Sequence, residues 1–183
     1  MNDQTETITL ANGCFWCTEA IFKRLLGIKS VLPGYSGGTV KNPSYDQVCM
    51  GITGHAESIQ IKFDPNVISF EKILDIFWNT HDPTTLNRQG NDIGTQYRSA
   101  IFFHTDKQRE IAEKSKRDLK KKGIFKAPIV TEITPFKNFY TAENYHKNYY
   151  DVHKDEAYCN FVIKPKIHKL LKQYKNEIND IYK

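Results

Sequence analysis

Apolar and polar residues repeat along this chain with two different periods, and the switches between them outline the fold. Thr7-Ile8-Thr9-Leu10 alternates, as a half-buried strand does. Ala20, Ile21, Leu25 and Leu26 then recur at helical spacing until Gly27 stops the run. Ile28 to Tyr35 reads as a second strand ending at Pro33-Gly34, and residues 36–43 as a turn-rich loop. Ala56 to Phe63 alternates again, with Ile59, Ile61 and Phe63 on one face and Pro65 closing the run. Phe70, Ile73, Leu74 and Phe77 follow the i, i+3, i+4, i+7 pattern of a core-facing helix. Residues 81–96 read as a long irregular loop, the kind more often functional than accidental. Tyr97 to His104 predicts a strand. Thr105 and Gln108 resemble a capping box opening a helix over 106–122. A strand over Ile129–Thr134 and a helix over Lys164–Asn179 complete the series. The order strand, helix, strand, strand, helix, strand is that of a split βαβ, ferredoxin-like core with a mixed or antiparallel sheet, extended here into an α+β domain.

One polar residue breaks the pattern. Glu57 shares the parity of Ile59, Ile61 and Phe63, which aims its carboxyl at the buried face. Burial disfavours the charged form and raises a carboxyl pKa toward neutrality. An acid still protonated near pH 7 can give up a proton. The competing reading is that Glu57, close to the strand end, bends to solvent or pairs with a lysine.

At 183 residues, with 39% hydrophobic and 13% aromatic content, the chain suits one globular domain spanning 1–183. The polar N-terminus lacks the apolar stretch of a signal peptide, and no run is long enough to span a membrane. Four cysteines without an export signal imply a reducing compartment, so a cytoplasmic location is expected. The net charge of +5 collects on lysine-rich helix faces such as residues 114–122 and the segment from Lys164 onward. Solvated faces explain it, and no nucleic-acid-binding module is evident.

The candidate chemistry lies in Gly13-Cys14-Phe15-Trp16-Cys17, where the first strand meets the first helix. Cys14 falls at or beside a helix N-terminus, where unpaired N–H groups and the helix dipole favour an anion. Such a setting lowers a thiol pKa, and the thiolate is the nucleophile. Three readings remain open: a catalytic thiol, a protein disulfide oxidoreductase acting through Cys14 and Cys17, and a metal-binding module using the same pair with a histidine. Zinc sites usually need two such pairs or nearby histidines, and the isolated Cys49 and Cys159 do not form a second pair. Glu143 and His146, with His153 further on, have a ligand-like i, i+3 spacing but no converging partners, so no metal is expected.

The string Gly13-Cys14-Phe15-Trp16-Cys17-Thr18-Glu19-Ala20 resembles the active-site motif of the A-type peptide methionine sulfoxide reductases. The resemblance continues through Gly34-Tyr35-Ser36-Gly37-Gly38, Asn42-Pro43-Ser44-Tyr45, Gly54-His55-Ala56-Glu57, His81-Asp82-Pro83 and residues 88–99. It implies a ferredoxin-like α+β fold and reduction of methionine-(S)-sulfoxide, free or in proteins, with thioredoxin as reductant and no bound cofactor. Cys14 would attack the sulfoxide sulfur and Glu57 would protonate its oxygen. Tyr45 and Tyr97 would hydrogen-bond that oxygen, Phe15 and Trp16 would form the wall for the S-methyl group, and Asp92 would orient substrate and water. The resulting sulfenic acid would condense with a second thiol. The resemblance points first to Cys159, in a C-terminal segment from about residue 141, with Cys17 as the alternative. Cys49 receives no role, and a monomer is the default expectation.

Overall fold

Two strands carry the architecture: β1 (Glu6–Asn12) and β3 (Ala56–Phe63) pair antiparallel in the middle of a six-stranded sheet. A computed structural model describes residues 5–183; the first four residues of the polar N-terminus lie outside the described residues. Between these strands run α1 (Phe15–Phe22), β2 (Ile28–Ser36) and the short α2 (Tyr45–Cys49). After β3 come α3 (Phe70–Asn79), a two-residue hairpin of β4 (Arg88–Gln89) and β5 (Asp92–Ile93), then β6 (Ser99–Phe103). The helix α4 (Asp106–Lys121), β7 (Glu132–Pro135) and β8 (Phe139–Thr141) follow. The short α5 (Tyr149–Val152) and α6 (Lys164–Gln173) complete the helices. The main sheet order is β7-β6-β1-β3-β2-β8. Its inner four strands are the expected split βαβ core. β7 lies parallel to β6 after α4, and β8 lies antiparallel to β2 at the far edge.

Strand parity decides what each face buries. Ile8 and Leu10 of β1 join Ile59, Ile61 and Phe63 of β3 in one apolar core with Phe15, Ile21 and Phe22 of α1 and Ile73, Leu74 and Phe77 of α3. Full burial of side chains this size is worth roughly 1.5–3 kcal/mol each relative to exposure. The opposite face carries small residues, Ala11, Ala56 and Ala100, covered by Phe102 and Phe136.

Several boundaries differ from the sequence pattern, each for a physical reason. α1 stops at Phe22, and the chain reaches Gly27 (φ +79) through a turn; the helical spacing of Leu25 reflects its burial in the same core. β2 continues through Pro33, which sits opposite Ile59 and offers its carbonyl to the Ala142 N–H. The loop over 81–96 contains the β4–β5 hairpin and leads into a 3₁₀ turn at Thr95–Tyr97. The strand expected over 129–134 lies at Glu132–Pro135, and the C-terminal helix ends at Gln173, giving way to short 3₁₀ turns. The Thr105 hydroxyl does accept the Gln108 N–H, but the Gln108 side chain takes the His104 N–H instead of closing the box. A complete capping box stands at Ser44 and Gln47, heading α2.

Candidate active site

Gly13 turns the chain from β1 into α1 with φ +98, a backbone region that costs glycine nothing. Cys14 is therefore the N-cap residue, its carbonyl accepting the N–H groups of Cys17 at 3.1 Å and Thr18 at 3.3 Å. The Thr18 hydroxyl links Asn12 at the end of β1 to that carbonyl, locking the junction. The first free helix N–H, that of Phe15, donates to Glu57 Oε2 at 3.0 Å. So the donor expected to favour a Cys14 anion holds the Glu57 carboxyl instead. Glu57 is 2% exposed, with its side chain on the core face of β3 as its parity requires. Burial pushes its pKa up to about 8, against the pull of the Phe15 N–H and with a further push from Asp92. The carboxyl is mostly protonated at neutral pH.

The thiols depart from the expectation drawn from the helix N-terminus. Cys14 is 7% exposed, and burial pushes its pKa well above the ordinary value, with Cys17 and Glu57 adding to the rise. Its hydrogen bond to Cys17 lowers that partner to about 7, and Lys166 assists. The two thiols are coupled and ionise as a unit. Cys159 is fully buried in the same apolar cluster as Cys14 and Cys17, at the start of a π-helical turn over Cys159–Ile163. Cys49 is exposed at the end of α2, beside the Tyr45 hydroxyl.

The two aromatics after Cys14 take different positions. Phe15 is 1% exposed and belongs to the main core, with its ring near Tyr35 and Tyr45. Trp16 is only partly buried, and its indole is held on three sides. Its Nε1–H donates to His146 Nδ1 at 3.0 Å, its face stacks on Tyr149 at 3.6 Å and 5°, and Tyr158 meets it edge-on. Tyr45 and Tyr97 are half-buried, and burial together with the Glu57 charge drives both phenols up, so both remain hydrogen-bond donors. Gln96 donates to the Cys49 carbonyl at 3.1 Å, tying the turn that carries Tyr97 to the helix that carries Tyr45. Asp92, on β5, accepts the Tyr158 hydroxyl at 2.8 Å.

Four contributors escaped the sequence reading. His146, noticed there only as a would-be metal ligand, is fully buried and neutral, its Nδ1 occupied by Trp16. Glu143 accepts from the Tyr35 hydroxyl at 2.7 Å and the Tyr45 N–H at 2.9 Å, bracing α2. Both Glu19 oxygens accept the Asn148 N–H, and Asn148 has φ 55, so α5 is pinned where Tyr149 meets Trp16. Tyr158 covers the thiols. Each of these contacts spans more than 60 residues, so no local signal marks it. His153 stacks on Tyr149, and among the described residues no group of three or more His, Cys, Asp or Glu side chains is arranged to hold a metal ion.

A split βαβ core that brings paired thiols and a protonated carboxyl together beneath an indole wall defines a thiol-dependent redox enzyme. The family model for peptide methionine sulfoxide reductase matches residues 6–179, and the chain belongs to that family. A peptide methionine sulfoxide reductase MsrA of Saccharolobus solfataricus is 54% identical over 173 residues, covering 94% of this chain and 97% of the relative. One from Leptospira borgpetersenii is 55% identical, covering 91% and 94%. Among solved structures, reduced Mxr1 from Saccharomyces cerevisiae superposes with a TM-score of 0.80 at 39% identity, covering 87% of this chain and 92% of that one. An unusual oxidised form of Mxr1 gives 0.63, and Mxr1 in complex with Trx2 gives 0.57 at 31% identity.

Proposed function

We propose that this single-domain enzyme reduces methionine-(S)-sulfoxide, free or in proteins, with Cys14 as nucleophile and Glu57 as proton donor. The observation that carries the reading is the clamped Glu57 carboxyl, still protonated at neutral pH, behind the residue that follows Cys14. The sulfoxide oxygen is a poor leaving group until it gains a proton. Glu57 supplies one while Tyr45 and Tyr97 donate to the same oxygen, stabilising charge as it shifts. As substrate enters, the Cys14 proton passes across the hydrogen bond to Cys17, and the Cys14 sulfur attacks. An S–S bond forms as the S–O bond breaks, and the protonated oxygen leaves as water. Water then attacks the Cys14 sulfur, and the S–S bond breaks with its electron pair going to methionine. The proton lost from that water returns to the Glu57 site, leaving methionine and a sulfenic acid on Cys14.

Trp16, with Phe15 behind it, forms the apolar wall for the S-methyl group, and Asp92 orients the rest of the substrate. The sulfenic acid then condenses with a thiol, releasing water. Cys17 is hydrogen-bonded to Cys14 and carries the lower pKa, which favours it as the partner; Cys159, in the same cluster, is the second candidate. A dithiol reductant of the thioredoxin class restores the enzyme, a role supported by the complex of Mxr1 with Trx2. We place the protein in the cytoplasm as a monomer that needs no bound cofactor. Among the described residues no helix is long and apolar enough to cross a membrane. Purified protein with dithiothreitol should consume the S epimer of a blocked methionine sulfoxide and spare the R epimer. Activity surviving Cys14→Ser would refute the assignment.

A further inference from the structure

We propose that Tyr158 is the gatekeeper of the sulfoxide subsite: its phenol holds the space between Asp92 and the two thiols, and substrate enters only by displacing it. The Tyr158 hydroxyl donates to Asp92 Oδ2 at 2.8 Å and lies 3.9 Å from Cys17 Sγ. Its ring stands edge-on to Trp16 at 5.9 Å and 79° and packs against the Cys14, Cys17 and Cys159 cluster. One side chain of the protein thus packs on the cluster that holds the nucleophile and meets the neighbouring thiol, the wall for the methyl group and the orienting carboxylate. Those are the groups that the reading of the site above, on which this inference rests, gives to the substrate. The phenol presents an apolar ring to Trp16 and a polar tip to Asp92 and sulfur, as a methionine sulfoxide side chain would. The 7% exposure of Cys14 is the cost of this arrangement.

The element that lets Tyr158 leave is also visible. Tyr158 immediately precedes the π-helical turn over Cys159–Ile163, which leads directly into α6. A π turn holds one residue more than α geometry needs, and such turns concentrate at functional sites. Relaxing it re-aims the residues on its N-terminal side without unfolding α6. Because Cys159 is the next residue, any displacement of Tyr158 by substrate also moves that thiol. Substrate entry and thiol mobilisation are then one event.

The test compares wild type, Tyr158→Phe and Tyr158→Ala as full-length reduced proteins, with thermal denaturation confirming that each is folded. Alkylation of Cys14 by iodoacetamide is followed by peptide mass spectrometry, and KM and kcat are measured with blocked methionine-(S)-sulfoxide. Tyr158→Phe keeps the ring and removes the hydrogen bond to a carboxylate, so alkylation should quicken and KM fall by roughly tenfold. Tyr158→Ala should alkylate faster still. Unchanged alkylation in both variants overturns the proposal. So does a raised KM, which would make Tyr158 an ordinary substrate-binding residue. Failure of the wild type to reduce the sulfoxide would instead sink the catalytic reading, and the alkylation rates would still decide the role of Tyr158.

Discussion

Replacing Glu57 by glutamine separates two consequences of burying a carboxyl against a helix N-terminus. The amide has nearly the same shape and can keep its oxygen on the Phe15 N–H, so the fold is preserved while the transferable proton is lost. General acid catalysis is typically worth 10²–10⁴-fold, and single-turnover reduction by Glu57→Gln should fall by about that factor. Stability should respond in the other direction. The folded pKa is raised to about 8 from an ordinary 4.5, so the folded state holds this proton more tightly than the unfolded chain does. The favourable contribution is complete below pH 4.5 and is lost as pH rises toward 8. At 1.36 kcal/mol for each pH unit, the gap between 4.5 and about 8 amounts to about 5 kcal/mol, an upper figure for one fully buried group. The glutamine variant has no such group. Urea unfolding at several pH values between 5 and 8.5 should therefore show the two proteins close together at the acid end. The variant should become the more stable of the two, by several kcal/mol, at the alkaline end. Parallel stability curves across that range would mean that Glu57 is charged in the folded protein, and the proton-donor role would go with it.

Other perturbations test the rest of the site and its frame. Counting thiols lost per methionine formed in single turnovers of Cys17→Ser and Cys159→Ser identifies the resolving thiol; a count of two in both variants would refute an exclusive partner. His146→Phe should lower kcat/KM roughly fivefold by freeing the Trp16 indole N–H, with kcat changed less than KM, because one buried hydrogen bond is worth about 1 kcal/mol. An unchanged KM would show that Trp16 needs no anchor. Gly34→Ala places a methyl group against the Phe139 ring and the Tyr140 carbonyl of β8. It should cost about 1–3 kcal/mol by denaturant titration, and a neutral result would show that β8 docks loosely.

Much of this was readable from the chain because the deciding signals were local. The alternation of residues 56–63 set both the strand and the inward direction of Glu57, and the Gly13–Cys17 junction placed Cys14 at a helix start. What stayed hidden came from contacts between distant segments. The three residues of β8 have no period long enough to read and become a strand only because Gly34 leaves room beside β2. The cage around Trp16 draws on His146, Tyr149 and Tyr158, all more than 120 residues away. The expected fall in the Cys14 pKa failed for a related reason: the helix N–H that should have favoured the sulfur anion was taken by a strand residue 42 positions further on.

The clamped indole also gives the molecule a built-in optical signal. The chain has two tryptophans, and Trp78 sits on α3 with its own N–H bonded to Ser115. A Trp78→Phe background would leave Trp16 as sole emitter, in face-to-face contact with one phenol and bonded to an imidazole. Its emission intensity and wavelength would then register, in real time and without any label, each arrival and departure at the wall it forms.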